Sequence, residues 1–202
     1  MINRRQILPS TASLISNLVS PPVIAIVFGF VVAPQEQDRF SGMLGAAVHS
    51  FLMGLAPLAL VVFLYKTGRI VDLHMSNAPE QRRIPYLVAL LCALITFLLF
   101  FTWGEAPLLT ALAACNVLVM GALAVINNYW LVSNHTASIG LAAMFSAFVF
   151  GQISLLYSLP LIALVGWARW IQRKHSLSQL AAGILVGAAP VFLFAGLGWF
   201  NI

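Results

Sequence analysis

The chain has 202 residues, of which 61% are hydrophobic and 7% charged, with a formal net charge of +5. Soluble domains run about half apolar and about a quarter charged, so one water-soluble core is excluded and lipid is the expected solvent. The apolar runs are continuous rather than alternating, which excludes a β-barrel and leaves helices as spanning elements.

The opening "MINRRQ" leads into an apolar stretch too long for a signal peptide and broken by "SPP", so it reads as a retained first span. With about 20 apolar residues per crossing, seven spans are expected, over 12–33, 44–65, 86–103, 108–128, 136–155, 158–170 and 178–200. The sixth is short and continues towards Lys174 as an amphipathic turn. The connections "PQEQDRFSG", "GEAP" and "YSLP" carry turn residues and leave no room for a soluble domain, so residues 1–202 form one membrane domain. One loop is long, from Lys66 to Pro85, and Pro85 suits a first helical position. The fold class is therefore all-α, a polytopic transmembrane bundle. Cys92 and Cys115 both sit inside apolar runs and read as small core residues.

Charge gives the chain a sidedness. With a cytoplasmic amino terminus, Arg4, Arg5, Lys66, Arg69, Arg82, Arg83, Arg169, Arg173 and Lys174 all fall inside, and only Arg39 falls outside. The basic balance is thus explained by topology and anionic headgroups, and no nucleic-acid partner is expected. The expected setting is a bacterial-type cytoplasmic membrane. Gly140 and Gly183-x-x-x-Gly187 are placed to let helices approach closely.

Three polar clusters share the predicted cytoplasmic face, and ionisable groups at a bilayer are costly enough to be functional candidates. In "VSNHTAS", Ser133 or Asn134 can cap the fifth span, leaving free N–H groups that attract an anion beside His135. In "ARWIQRKHSLSQ", Arg169 and Arg173 suit phosphate oxygens, and His175 stands at the start of the last span. Ser176 and Gln179 there have the spacing of a capping box, so Gln179 has both a structural and a functional reading. The long loop adds Lys66, Arg69, Asp72, His74, Arg82 and Arg83. Cations for phosphoryl oxygens, with one histidine as nucleophile and another as acid, spell phosphoryl transfer. Topogenic charge and ordinary helix caps are the plainer alternative.

The order and spacing of these residues resemble the type 2 phosphatidic acid phosphatase and vanadium haloperoxidase superfamily. Its motifs run Lys…Arg-Pro, then Pro-Ser-Gly-His, then Ser-Arg, five residues, His, three residues, Asp. Here the second reads Val132-Ser133-Asn134-His135, and the third reads Ala168-Arg169, five residues, His175, three residues, Gln179. The resemblance covers residues 66–187 and implies a six-helix core with one extra span. It implies His175 as the nucleophile, His135 as the acid for the leaving group, and Arg169 with Ser133 and Asn134 as the phosphate cradle. Arg82, Arg83 and Lys66 stand where its degenerate first motif falls, with Ile84 between Arg83 and Pro85. Asp72, His74 and Arg69 are possible auxiliaries.

By that resemblance the phosphatase reaction needs no metal or cofactor, and its substrates are lipid phosphates or prenyl diphosphates. Gln179 stands where the family has aspartate; its carbonyl can fix an imidazole tautomer but cannot stabilise imidazolium by charge. The expected function is hydrolysis of a membrane lipid phosphate or polyprenyl (di)phosphate. The alternatives are a prenyl-diphosphate lyase or cyclase using the same pocket, and a non-catalytic lipid-phosphate binder or carrier.

Overall fold

The computed structural model describes residues 4–70 and 79–200, and the elements among them are helical. They are α1 (Arg4–Leu18), α2 (Pro21–Val32), α3 (Arg39–His49), α4 (Ala56–Lys66), α5 (Arg83–Trp103), α6 (Pro107–Ile126), α7 (Asn134–Val149), α8 (Leu155–Ile171) and α9 (Leu177–Gly196). α3 and α4 run on as one helix, Arg39–Lys66, through a π-helical turn at Ser50–Leu55. That long helix, α5, α6, α9, and α8 with its leading 3-10 turn (Gln152–Ile171) are five helices long and apolar enough to cross a membrane. α1 and α2 pass the same test only as a pair, Ser10–Leu18 with Pro21–Gln35, bent by 43°. The fold is that of an integral membrane protein with five to six such spans.

This count is lower than the seven expected, for two local reasons. The first span is broken rather than continuous. Ser20 is extended (φ −76°, ψ 154°) because the Pro21 ring bars it from the helical region, and Pro21 then opens α2. The fifth and sixth spans divide differently. α7 ends at Val149 and Gly151 takes φ 87°, a left-handed conformation that turns the chain. The apolar residues after Gly151 therefore join α8, which becomes the full-length element. The 16 residues of α7 rise about 24 Å, short of a hydrocarbon core about 30 Å thick. Pro85 is the third residue of α5, not its first.

Large apolar side chains cover the outside of the bundle: Phe51, Phe63, Leu87, Leu98, Leu156 and Leu185 are all exposed. A surface of this kind, on helices of this length, suits contact with lipid. α7 lies inside, its His135, Thr136, Ala137, Gly140 and Phe145 buried, and α6 is the most enclosed of the long spans. The α7–α9 seam is the closest packing in the chain. A Cβ on Gly187 would overlap the Ala137 carbonyl oxygen, one on Gly183 would overlap Thr136 Oγ1, and one on Gly140 would come within 2.9 Å of the Ile184 carbonyl oxygen. Both cysteines are buried thiols.

At the opposite end of the bundle from His135, the loop after α2 delivers Glu36 to the start of α6. Its Oε1 accepts from Leu109 N at 2.7 Å and its Oε2 from Leu108 N at 3.3 Å. A carboxylate from another segment thus satisfies N–H groups that open every helix, and favours the dipole. Burial raises the Glu36 carboxyl from its ordinary range, against these two hydrogen bonds.

Candidate functional site

Four helix ends converge on one polar cluster. Arg82 closes the 3-10 turn before α5; His135 lies in the first turn of α7; Arg169 lies in the last turn of α8; His175 lies in the bend before α9. All four are buried, Arg169 to 2% exposure and His175 to 7%. The local chain explains each position. Ser133 is the N-cap of α7, its Oγ accepting from Thr136 N at 3.4 Å, which sets His135 on the inward face. Thr136 Oγ1 donates to Leu180 O at 3.0 Å and ties that turn to α9. Arg173 takes φ 55°, and its N–H bonds Trp170 O at 2.8 Å, so the bend after α8 folds back and carries His175 inward.

His175 is held by its Nδ1, which donates to the Leu131 carbonyl at 3.1 Å. That bond fixes the tautomer and leaves the lone pair on Nε2. Burial first, then the Arg169 charge, pushes the imidazole down to about 4. The Leu131 bond opposes this, Arg82 adds to it, and the Gln179 side chain opposes it again. The ring is neutral at pH 7. His135 is held by α1: its Nε2–H donates to the Ser16 carbonyl at 3.2 Å, with the Ser16 hydroxyl 3.5 Å away. Arg169 Nη1 donates to that same hydroxyl at 2.9 Å. Gln172 Nε2 adds a bond to Ala12 O at 2.9 Å, fastening α1 across the end of α8. Tyr86, one turn into α5, brings its hydroxyl beside Arg82.

These groups form the polar end of a cavity of about 460 Å³, lined there by Arg82, Tyr86, Asn134, His135, Arg169 and His175. Below them the walls turn apolar, with Phe28, Met53, Leu112, Met120 and Leu141. The volume suits one chain-like or drug-sized ligand. α2 packs on α3 and the π turn, and the cavity-lining Val23 and Leu58 are exposed.

The sequence-predicted residues thus divide. His135, Arg169, His175, Arg82 and Asn134 meet at the cavity, whereas Ser133 acts as a buried cap behind it. Gln179 is occupied as the predicted capping box: its Oε1 accepts from Ser176 N at 2.9 Å, and its own N–H bonds Ser176 Oγ at 3.3 Å. Arg83 points away, its Nε bonded to Asn128 Oδ1 at 3.2 Å on the exposed surface. Lys66 and Arg69 are exposed and do not line the cavity. Asp72 and His74 lie outside the described residues. Ser16 and the Leu131 carbonyl are site groups that no motif announced. Among the described residues, no three His, Cys, Asp or Glu side chains come together as a metal site. A scan against protein-family models, a search of curated proteins and a search of solved structures each found no match to this chain.

Proposed function

We propose that the chain is a membrane phosphatase, similar to the type 2 phosphatidic acid phosphatases, that hydrolyses a lipid phosphate or polyprenyl (di)phosphate through His175. The observation that carries this reading is the joining of two buried arginines and two oriented histidines to an apolar chamber within the bundle. Guanidinium groups match phosphoryl oxygens in geometry and charge, so Arg82 and Arg169 hold the phosphate at the polar end. The chamber takes the chain, which slides in from the bilayer between α2 and α4. In this reading α7 is a seventh crossing, the bundle lies in a bacterial-type cytoplasmic membrane, and the cluster faces the cytoplasm.

The chemistry follows from the tautomers. His175 Nε2 attacks phosphorus in line with the ester oxygen, forming a P–N bond as the P–O bond breaks. His135, entering as imidazolium, gives its Nε2 proton to the departing oxygen and is left as neutral imidazole; in the free enzyme the Ser16 carbonyl takes that N–H. Water then attacks phosphorus, gives its proton to His135 and releases inorganic phosphate with His175 regenerated. A neutral carbonyl from Leu131 does the orienting that a carboxylate does in the family pattern.

The second reading, a lipid-phosphate binder, is favoured by that same neutral carbonyl, because no charge from Gln179 supports imidazolium. Phosphate release from reconstituted protein separates the two. Wild type is expected to release phosphate from a lipid phosphate and His175→Ala to lose about 10⁴-fold or more in rate. Equal release by both proteins sinks the nucleophile assignment, and saturable binding without release by wild type makes the chain a binder.

A further inference from the structure

Asn116 lies midway along α6, among Leu112, Cys115, Val119 and Met120, and is 8% exposed. Its Nδ2 donates to the Leu112 carbonyl at 3.0 Å. A carbonyl accepts only from the amide nitrogen, so this bond fixes which way the amide points. Its Oδ1 is left with no donor among the described residues, in a side chain that lines the cavity. Eleven residues separate Asn116 from Asn127 at the polar end of the same helix, a rise of about 16 Å. An acceptor without a donor at that depth is costly in hydrocarbon, and polar groups retained there serve a ligand or a path. His49 stands in the same wall, but its ring nitrogens are sealed, with Gly29 so close that a Cβ there would lie 2.9 Å from Nδ1. Asn116 is a polar group of the chamber wall that lies away from the Arg82–His135–Arg169–His175 cluster.

We propose that Asn116 Oδ1 reads a hydrogen-bond donor, a hydroxyl or amide N–H, carried on the lipid chain well below the phosphate. The substrate class is then a lipid phosphate with a polar donor in its chain, not a plain hydrocarbon. This rests on the phosphate site at the polar end of the cavity, since the distance is counted from there. Such a contact distinguishes chains that a purely apolar chamber accepts equally.

The test compares dodecyl phosphate with 12-hydroxydodecyl phosphate, whose extended length is of the required order, binding to the full chain in lipid nanodiscs. Wild type is expected to hold the hydroxylated probe about 3- to 10-fold more tightly, the scale of one net hydrogen bond. Asn116→Leu, close to isosteric, is expected to abolish that preference, because an apolar wall no longer distinguishes the two chains, with dodecyl phosphate bound as tightly as by wild type or more tightly once the unpartnered acceptor is gone. Asn116→Ala replaces it if the leucine variant does not fold. Equal affinity of the two probes for wild type overturns the proposal, as happens if water already satisfies Oδ1; so does a preference that survives in the variant.

Failure of the phosphate reading is seen separately. If neither phosphate outbinds its alcohol, or Arg169→Ala binds dodecyl phosphate as wild type does, the phosphate site falls. Asn116 is then judged on 1-dodecanol against dodecane-1,12-diol. The diol preference and its loss in Asn116→Leu are still required, and their absence overturns the donor contact as well.

Discussion

The two sides of α7 are built in opposite ways. Towards α9 it meets glycine after glycine, and the backbones approach until no side-chain atom fits between Gly187 and Ala137. Towards α2 and α4 it faces the cavity, whose wall includes the exposed Val23 and Leu58. The seam fixes the start of α7 against α9, and with it the separation of His135 from His175. The cavity side leaves room for a chain. In the proposed phosphatase, catalytic geometry would sit on the rigid side of one helix and substrate access on the yielding side, so that a greasy ligand could move without moving the histidines.

The sharpest way to break this contrast is to overpack each side. Gly187→Val places branched atoms against the Ala137 carbonyl and the Leu141 N–H, backbone groups that cannot rotate away. Overpacking a filled core costs about 1–3 kcal/mol where side chains can shift, and this variant is expected at or above that range. Val61→Phe, in the cavity wall on α4, is expected to cost less than about 1 kcal/mol because space stands in front of it. Thermal midpoints in detergent or nanodiscs compare the two. A Gly187→Val protein as stable as wild type means the seam is not the rigid side.

A middle-sized effect is expected from pH, through the buried end of the seam. His175 in the folded chain is pushed down to about 4, while in the unfolded chain it keeps its ordinary value near 6.5. The unfolded state takes up the proton first on acidification. Stability from this group is therefore fully present above about 6.5 and lost progressively as pH falls through about 4. The neutral nucleophile persists over the same window, so phosphate release is expected to hold from pH 7 to 5 and to fall through about 4. An acid limb near 6.5 in the pH–rate profile contradicts the burial and charge that act on His175.

How much of this was legible depended on whether a signal was local. His135, Arg169 and His175 could be read because each lies a turn or less from a helix end, where caps and loop length fix its face. The Ser133 cap, the Ser176–Gln179 box and the Gly183–Gly187 spacing were legible for the same reason. Lys66, Arg69 and Arg83 were grouped with the site because they share its membrane face, but sharing a face is not contact, and all three are exposed. Ser16 and Leu131 left no trace in the sequence. One acts across the 119 residues between it and His135, and the other through a backbone carbonyl that every residue possesses. Only five to six of the seven expected spans are matched by helices long and apolar enough to cross, because Gly151 ends α7 early and the proline pair at 21–22 breaks the first span, features that hydropathy alone treats as continuous.

The smallest expected effect is at Gln179, where the aspartate of the family pattern would stand. If its work is the capping box, Gln179→Ala loses one exposed side-chain bond to Ser176 N and costs about 0.5 kcal/mol of stability, the low end for one net hydrogen bond. Phosphate release should then change by no more than a few-fold, far less than in His175→Ala. Collapse of the rate in Gln179→Ala means instead that the amide acts on the imidazole, the contact that already pulls His175 upward. Gln179→Glu sharpens the distinction, since a carboxylate at the same position keeps the box and adds negative charge beside the ring. A charge of that sign favours imidazolium, so the acid limb of the pH–rate profile should move above about 4. An unmoved limb places the Gln179 side chain wholly in the cap and leaves Leu131 as the group that orients the nucleophile.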